Sequence, residues 1–574
     1  MRNKKLLALT FWVFSGATMA DANQDFDTLL KQHWQQAQQE KIFFRTDPDA
    51  WKPSGKLADF SAQGIARRQD FNQDMLTSLA TIPFDELSKA QQVSYRLFKY
   101  ERETEQQSYQ FQDKYFPINF LSGWHTYFAE APANMAFLSA HDYDQYLISL
   151  EDYPRFNREN IDLLKQGLDA GYVHHCESFK DYHLTINKHI VKDPKDSALF
   201  EPFTRMPGTF SAEQVHQYRS KGEALVAQAV VPAYQAFYDF FVEQYMPKCR
   251  TQPGISSVKG GAQYYAYAAN YYTTTELTAQ QIHDLGLSEV KRIRAEMQQI
   301  IDKLNFSGSY GEFLAFLAND PQFYAQDRQD VLEKTAFITQ SMYGKLPTFF
   351  AHLPRNTFTI KGSASRGAFY MPPPDTRTPG TYFLNSDPKQ QPLYNLEALS
   401  LHEAVPGHHL QNAIAMELDV PPFRRTLNHS AFSEGWGLYS ERLGKEAGFY
   451  QNPYSDFGRL GYEMWRAVRL VVDTGIHAFG WSRQQAIDYL GSRTALTKKS
   501  VQDQIDRYIS WPGQALSYKI GELKIRELRA KAEKELGAKF DIRKFHDTLI
   551  GQGSMPMAVL EDMIDEWIAN QQRS

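Results

Sequence analysis

A mainly α-helical fold with a small β-sheet is predicted for this chain of 574 residues. Capping-box patterns carry the helical part: "SAEQ" at 211–214, "TAQQ" at 278–281 and "SRQQ" at 482–485 each precede an apolar-periodic run. In the second run Ile282, Leu285, Val290, Ile293, Met297, Ile300, Ile301 and Leu304 recur near helical spacing. The sheet is carried by residues 356–386, "NTFTIKGSASRGAFYMPPPDTRTPGTYFLNS". Their Thr, Phe, Tyr and Gly content favours two or three short strands, and their proline clusters forbid helix.

Taken in order, the chain begins with a positive "MRNKK", an apolar "LLALTFWVFSGA" and small residues at Thr18 and Ala20. That is the pattern of a signal peptide, residues 1–20, cleaved after Ala20. No cysteine stands there for a lipid anchor, and no later stretch is apolar enough to span a membrane, so the expected location is periplasmic or secreted. An N-terminal helical half is expected over 21–255, including "AYQAFYDFFVEQY" at 233–245. "KCRTQPGISSVKGG" at 248–261 marks its end. A second half, 256–574, carries the sheet (356–395), the chemistry, and a late helix in "YKIGELKIRELRAKAEKEL".

Composition narrows the function. A net charge of −5 without a basic run gives no footprint for nucleic acid. The 32 tyrosines fit either a large core with a Tyr-rich surface or a cleft lined for peptides or sugars. Only Cys176 and Cys249 are present, which permits one disulfide or two buried thiols. Two cysteines cannot build a cysteine-rich metal site, so any metal must rely on His and carboxylate ligands. His174 and His175 beside Cys176 read as structural.

The stretch with chemistry is "LHEAVPGHHLQ" at 401–411. Two histidines four apart on a helix lie about 6 Å from each other along the axis and can share a metal ion. His402 and His408 are six apart, which on a straight helix turns them roughly 240° and separates them by about 9 Å. His409 returns to the same face but sits about 10.5 Å along. Pro406 has no N–H for the His402 carbonyl, and Gly407 is conformationally free. "AVPG" is therefore expected to bulge and return His408 to the ligand position. Glu434, in "FSEGWGLYSE" at 432–441, is the expected third ligand, and Glu441 is its alternative or a partner of a ligand. Glu403 is placed to act as general base on a zinc-activated water, and Tyr518 as donor to the oxyanion. The alternatives are a polar cluster capping a broken helix, a solvated Glu434 and a core Tyr518. His409 is a possible ligand or orienting group.

"HEAVPGHHLQ", "SEGWGLYSE", "RLVVDTGIHAFGWS" and "PGQALSYKIGELKIRELR", in this order, resemble the bacterial domain-of-unknown-function 885 family over most of the chain. The resemblance implies a zincin-like, two-lobed helical metallopeptidase with one cleft. It is similar in outline to the helical peptidases that include angiotensin-converting enzyme and thermostable carboxypeptidases. It implies zinc on His402, His408 and Glu434, with Glu403 and Tyr518 catalytic, and gives a class of reaction without a specificity; a cleft closed over by helices would, by analogy, favour oligopeptides over folded proteins. A zinc amidase acting on cell-wall peptides and an inactive peptide-binding protein are the rival readings. Arg466, Arg469, Asp473 and His477 mark one helix face, which reads first as an ion-pair ladder. The alternative is a substrate site using Arg469 and His477. Arg366 is a further candidate for substrate binding on a strand edge.

Overall fold

The computed structural model describes residues 19–39, 44–47, 50–53, 55–363, 367–373 and 378–573. The expected signal peptide lies outside these residues, except that Met19 and Ala20 begin the first described helix, Met19–Gln39. Arg366 also lies outside them. The fold is mainly helical, and the three capping boxes form as expected at Ser211, Thr278 and Ser482. None of the helices among the described residues is long and apolar enough to cross a membrane.

Strands β1 (Phe44–Asp47) and β2 (Ala50–Pro53) form an antiparallel pair that the sequence did not announce. Strands β3 (Phe358–Ser363), β4 (Phe369–Met371) and β5 (Gly380–Asn385) form the expected small sheet in the order β3-β5-β4. β5 is central, parallel to β3 and antiparallel to β4. Its buried Tyr382 and Leu384 pack with Val331, Leu396 and Leu399, seating the sheet against the helix that carries His402.

Packing does not divide at residue 255. One core lies wholly within residues 57–245 and is built around Tyr143, Tyr153, Phe156, Tyr234 and Phe237. The earliest helices instead bury Phe26, Met75 and Phe98 together with Leu401, Trp436, Ile525 and Leu560. The apolar faces of these helices are thus covered by elements from about three hundred to more than five hundred residues downstream. Cys176 and Cys249 form a disulfide, 73 residues apart in sequence. His174 and His175 beside it are structural: His174 Nε2 meets the Ile118 carbonyl at 3.0 Å, and His175 Nδ1 meets Ser178 Oγ at 3.0 Å.

The Pro453–His477 helix is central and buried on nearly every side. A buried ionic cluster ties it to its neighbours. Lys519 Nζ, fully shielded from solvent, lies 2.8 Å from Glu463, 2.9 Å from Glu289 and 2.9 Å from Glu522. Arg292 joins Glu289 at 2.7 Å and also contacts Glu463. Burial works against the charged form of Glu289, but Arg292 and Lys519 outweigh it and hold its pKa at about 2.

Lys519→Met is expected to destabilise the fold by about 3–5 kcal/mol in urea unfolding, because three carboxylates lose their shared ammonium. The depressed pKa of Glu289 fixes the sign of the acid response. Its stabilisation is present above the ordinary value of 4.5 and is lost as pH falls towards about 2. That part of the acid sensitivity should shrink in Lys519→Met.

Candidate metal centre

The helix that carries His402 runs from Leu396 to Glu403 and stops. Ala404 takes φ −100° and ψ −102°, the Val405–Pro406 peptide is cis, and a new helix begins at His408. The expected bulge is therefore a complete break of four residues. A helix interrupted at Pro406 loses the N–H that would have continued its ladder, and the chain re-enters helix only at His408. His409 N–H donates to the Ala404 carbonyl at 3.1 Å across the break. Two further contacts fix the turn. A Cβ on Gly407 would lie 1.8 Å from the His402 carbonyl oxygen, so this position takes no side chain. Trp436 Nε1 donates to the Pro406 carbonyl at 2.8 Å in a buried site.

The break swings the two imidazoles together, with ring centroids 4.7 Å apart and planes nearly perpendicular. Glu434, on the Ser430–Glu446 helix, completes the group: its Oε2 lies 3.4 Å from His402 Nε2 and 3.4 Å from His408 Nε2. One donor atom from each of the three residues falls within 4.8 Å of the others. Glycines let this helix come close. A Cβ on Gly437 would stand 2.6–2.9 Å from the His402 ring, and one on Gly435 would stand 2.5 Å from the Gly521 backbone.

Glu441 lies behind the group. It takes His402 Nδ1 at 2.8 Å and is itself held by Arg466 at 3.2 Å. That leaves His402 Nε2 to face Glu434 and His408. Burial disfavours a charge on His402, yet hydrogen bonds to Glu434 and Glu441 with the field of Glu403 raise its pKa to about 10. Burial likewise pushes Glu434 upward, but the two histidines more than reverse this and hold its carboxyl well below the usual range.

The group lines a cavity of about 1880 Å³ that also takes in Glu403 and Tyr518, and side chains from the N-terminal half such as Asn119 and Tyr182. Tyr518 Oη accepts from Arg507 Nη2 at 3.2 Å, which leaves the phenol's own proton free to be donated into the cavity.

Two sequence candidates fall elsewhere. His409 faces the sheet, with Tyr370 Oη at 3.1 Å from Nδ1 and Tyr343 Oη at 3.2 Å from Nε2, and burial lowers its pKa to about 4. It sits apart from the three convergent donors. His477 is fully buried; its Nδ1 accepts from Ile255 N–H at 3.0 Å and its Nε2 donates to the Tyr508 carbonyl at 2.9 Å. With both nitrogens taken by backbone, it is structural and does not face substrate. The ion-pair ladder is also absent, since Arg466 pairs with Glu441, Arg469 bonds Tyr508, and Asp473 accepts from Tyr265 and Gly513. Two contributors escaped the sequence reading. Trp436 was hidden inside a motif read for its carboxylates, and Arg507 reads in sequence as an ordinary charge on an amphipathic helix.

The chain matches, over residues 45–564, the family described as "Bacterial protein of unknown function (DUF885)", and it belongs to that family. The crystal structure of a "putative lipoprotein" from Colwellia psychrerythraea superposes with a TM-score of 0.86 at 27% identity, covering 96% of this chain and all of the other. A "putative lipoprotein of unknown function" from Shewanella oneidensis shares the fold, with a TM-score of 0.68 at 15% identity over 96% of this chain and 100% of its own. Among curated proteins no significant match is found.

Gly437→Ala should displace the His402 ring, because the added methyl would overlap it. The expected cost is about 1–3 kcal/mol in urea unfolding. Gly461→Ala, inside a helix where a Cβ meets nothing within 4 Å, is the matched control and should not destabilise, gaining up to about 1 kcal/mol from alanine's better helix propensity.

Proposed function

We propose that this member of the DUF885 family is a zinc metallopeptidase of zincin type that hydrolyses short peptides in the bacterial cell envelope. The observation that carries the reading is the convergence of His402 Nε2, His408 Nε2 and a Glu434 carboxylate oxygen on one point of the cavity wall. Two imidazoles and one carboxylate suit zinc, and three protein ligands are the number a catalytic zinc site uses. The outer arrangement fits as well, because Glu441 fixes the His402 tautomer in the way ligating histidines are commonly fixed. Zinc bound there would supply Lewis acidity for activating water and polarising a peptide carbonyl.

The remaining work falls to the chain's own side chains. Glu403 adjoins His402 in sequence and lines the same cavity, 7% exposed, as a base that must meet substrate while largely shielded from solvent. It takes a proton from the attacking water and passes it to the leaving amine. Tyr518 donates its hydroxyl proton to the oxyanion that develops on the attacked carbonyl, while Arg507 holds its oxygen from the other side. The cavity, walled by helices from both halves, admits an extended oligopeptide more readily than a folded domain. The description of both structural neighbours as lipoproteins supports a place in the cell envelope.

Elemental analysis of the purified protein should find about one zinc per chain, and Glu434→Ala should lose it. Glu403→Gln should keep the metal while peptide turnover falls roughly 10²–10⁴-fold, the usual scale of general-base catalysis. Zinc retained in Glu434→Ala, or full turnover in Glu403→Gln, would remove those residues from their roles.

A further inference from the structure

The cavity wall holds two guanidinium groups whose hydrogen-bond partners are all neutral. Arg469, on the Pro453–His477 helix, is 3% exposed. Its Nε donates to Tyr508 Oη at 3.0 Å, its guanidinium carbon lies 4.1 Å from the centre of the Tyr518 ring, and it lies 4.7 Å from that of Trp465. Its Nη1 is buried and has no hydrogen-bond partner. Arg507, on the Lys498–Ser510 helix, donates from Nη2 to Gln514 Oε1 at 2.8 Å and to Tyr518 Oη at 3.2 Å. Both line the cavity that holds the His402, His408 and Glu434 group. Arg466, one turn earlier than Arg469, has its counter-charge in Glu441 at 3.2 Å. Glu434, whose field reaches Arg507, has its carboxylate taken by two histidines.

Buried cations are ordinarily paired, because an unmatched charge loses its hydration without a replacement. Stacking on aromatic rings recovers part of that cost and none of the hydrogen bonding. Arg469 and Arg507 both line the cavity, so the missing counter-charge is one that the cavity supplies. A guanidinium presents its N–H groups as a planar fork that matches a carboxylate, and Tyr518 brings both arginines beside the proposed oxyanion donor.

We propose that Arg469 and Arg507 form a receptor for a carboxylate of the substrate beside Tyr518, so that the preferred substrates are short peptides carrying a carboxylate close to the bond that is cut. The inference rests on the peptidase reading for the word substrate, but the receptor itself is a binding property that can be measured without turnover. The carboxylate has two possible sources in a peptide, the free C-terminus and an acidic side chain, and both offer the same chemistry.

Calorimetric titration of the Glu403→Gln protein tests the receptor whether or not the parent hydrolyses anything. The probes are N-acetyl-alanyl-alanine as free acid, its C-terminal amide, and N-acetyl-glutamyl-alanine amide. At least one carboxylate-bearing peptide should bind about tenfold or more tightly than the neutral amide, as expected for a charge-assisted pair of hydrogen bonds. The free acid or the glutamyl peptide, whichever leads, then identifies the source. Adding Arg469→Gln should erase the preference, and Arg469→Lys should restore part of it. Arg507→Gln gives an independent reading if Arg469→Gln fails to fold by circular dichroism. Equal binding of all three probes, no binding of any, or a preference that survives both glutamine variants overturns the receptor. Zinc content and peptide turnover report separately on the peptidase reading.

Discussion

The four-residue break between Glu403 and His408 is the constraint on which the site depends. In an unbroken helix the two imidazoles would point to different sides, with no carboxylate able to reach both. The break is held from two sides: Gly407 lies where only a missing side chain permits contact with the His402 carbonyl, and the buried Trp436 indole grips the Pro406 carbonyl. Trp436 belongs to the same helix as Glu434, so one element both clamps the turn and delivers the third donor. Position and partner are thereby coupled.

Close helix approach extends that coupling outward. Gly437 makes room for the His402 ring, and Gly435 meets Gly521 backbone to backbone, bringing the Ser517–Leu536 helix and its Tyr518 to the cavity. Behind His402, Glu441 and Arg466 connect the site to the buried Pro453–His477 helix. That same helix is tied through Glu463 to Lys519, the neighbour of Tyr518 in sequence. Donors, cavity wall and ionic cluster thus share one interlocked set of helices, which suits a site that must hold its side chains in fixed geometry.

What was legible in the sequence was mostly local. Capping boxes and apolar periodicity are short-range patterns, and the helices that follow Ser211, Thr278 and Ser482 appear as read. Proline, glycine and β-branched residues marked the small sheet for the same reason. The convergence of His402, His408 and Glu434 could be anticipated because Pro406 and Gly407 announce a backbone irregularity at the right place. Its form could not: a bulge and a complete break satisfy the same residue types. Long-range pairings were equally hidden. His477 reads as part of an ion-pair ladder or of a substrate site until the backbone N–H of Ile255, 222 residues away in sequence, is found on its Nδ1. The docking of the first helices onto the late ones, which moves the packing boundary away from residue 255, is another such case.

Anomalous diffraction from crystals of the full protein, measured on both sides of the zinc absorption edge, is the most direct measurement of the central claim. A single strong peak within bonding distance of His402 Nε2, His408 Nε2 and a Glu434 carboxylate oxygen is the result expected. A fully occupied zinc peak elsewhere, or His402 and His408 rings turned apart in a zinc-saturated crystal, would contradict it.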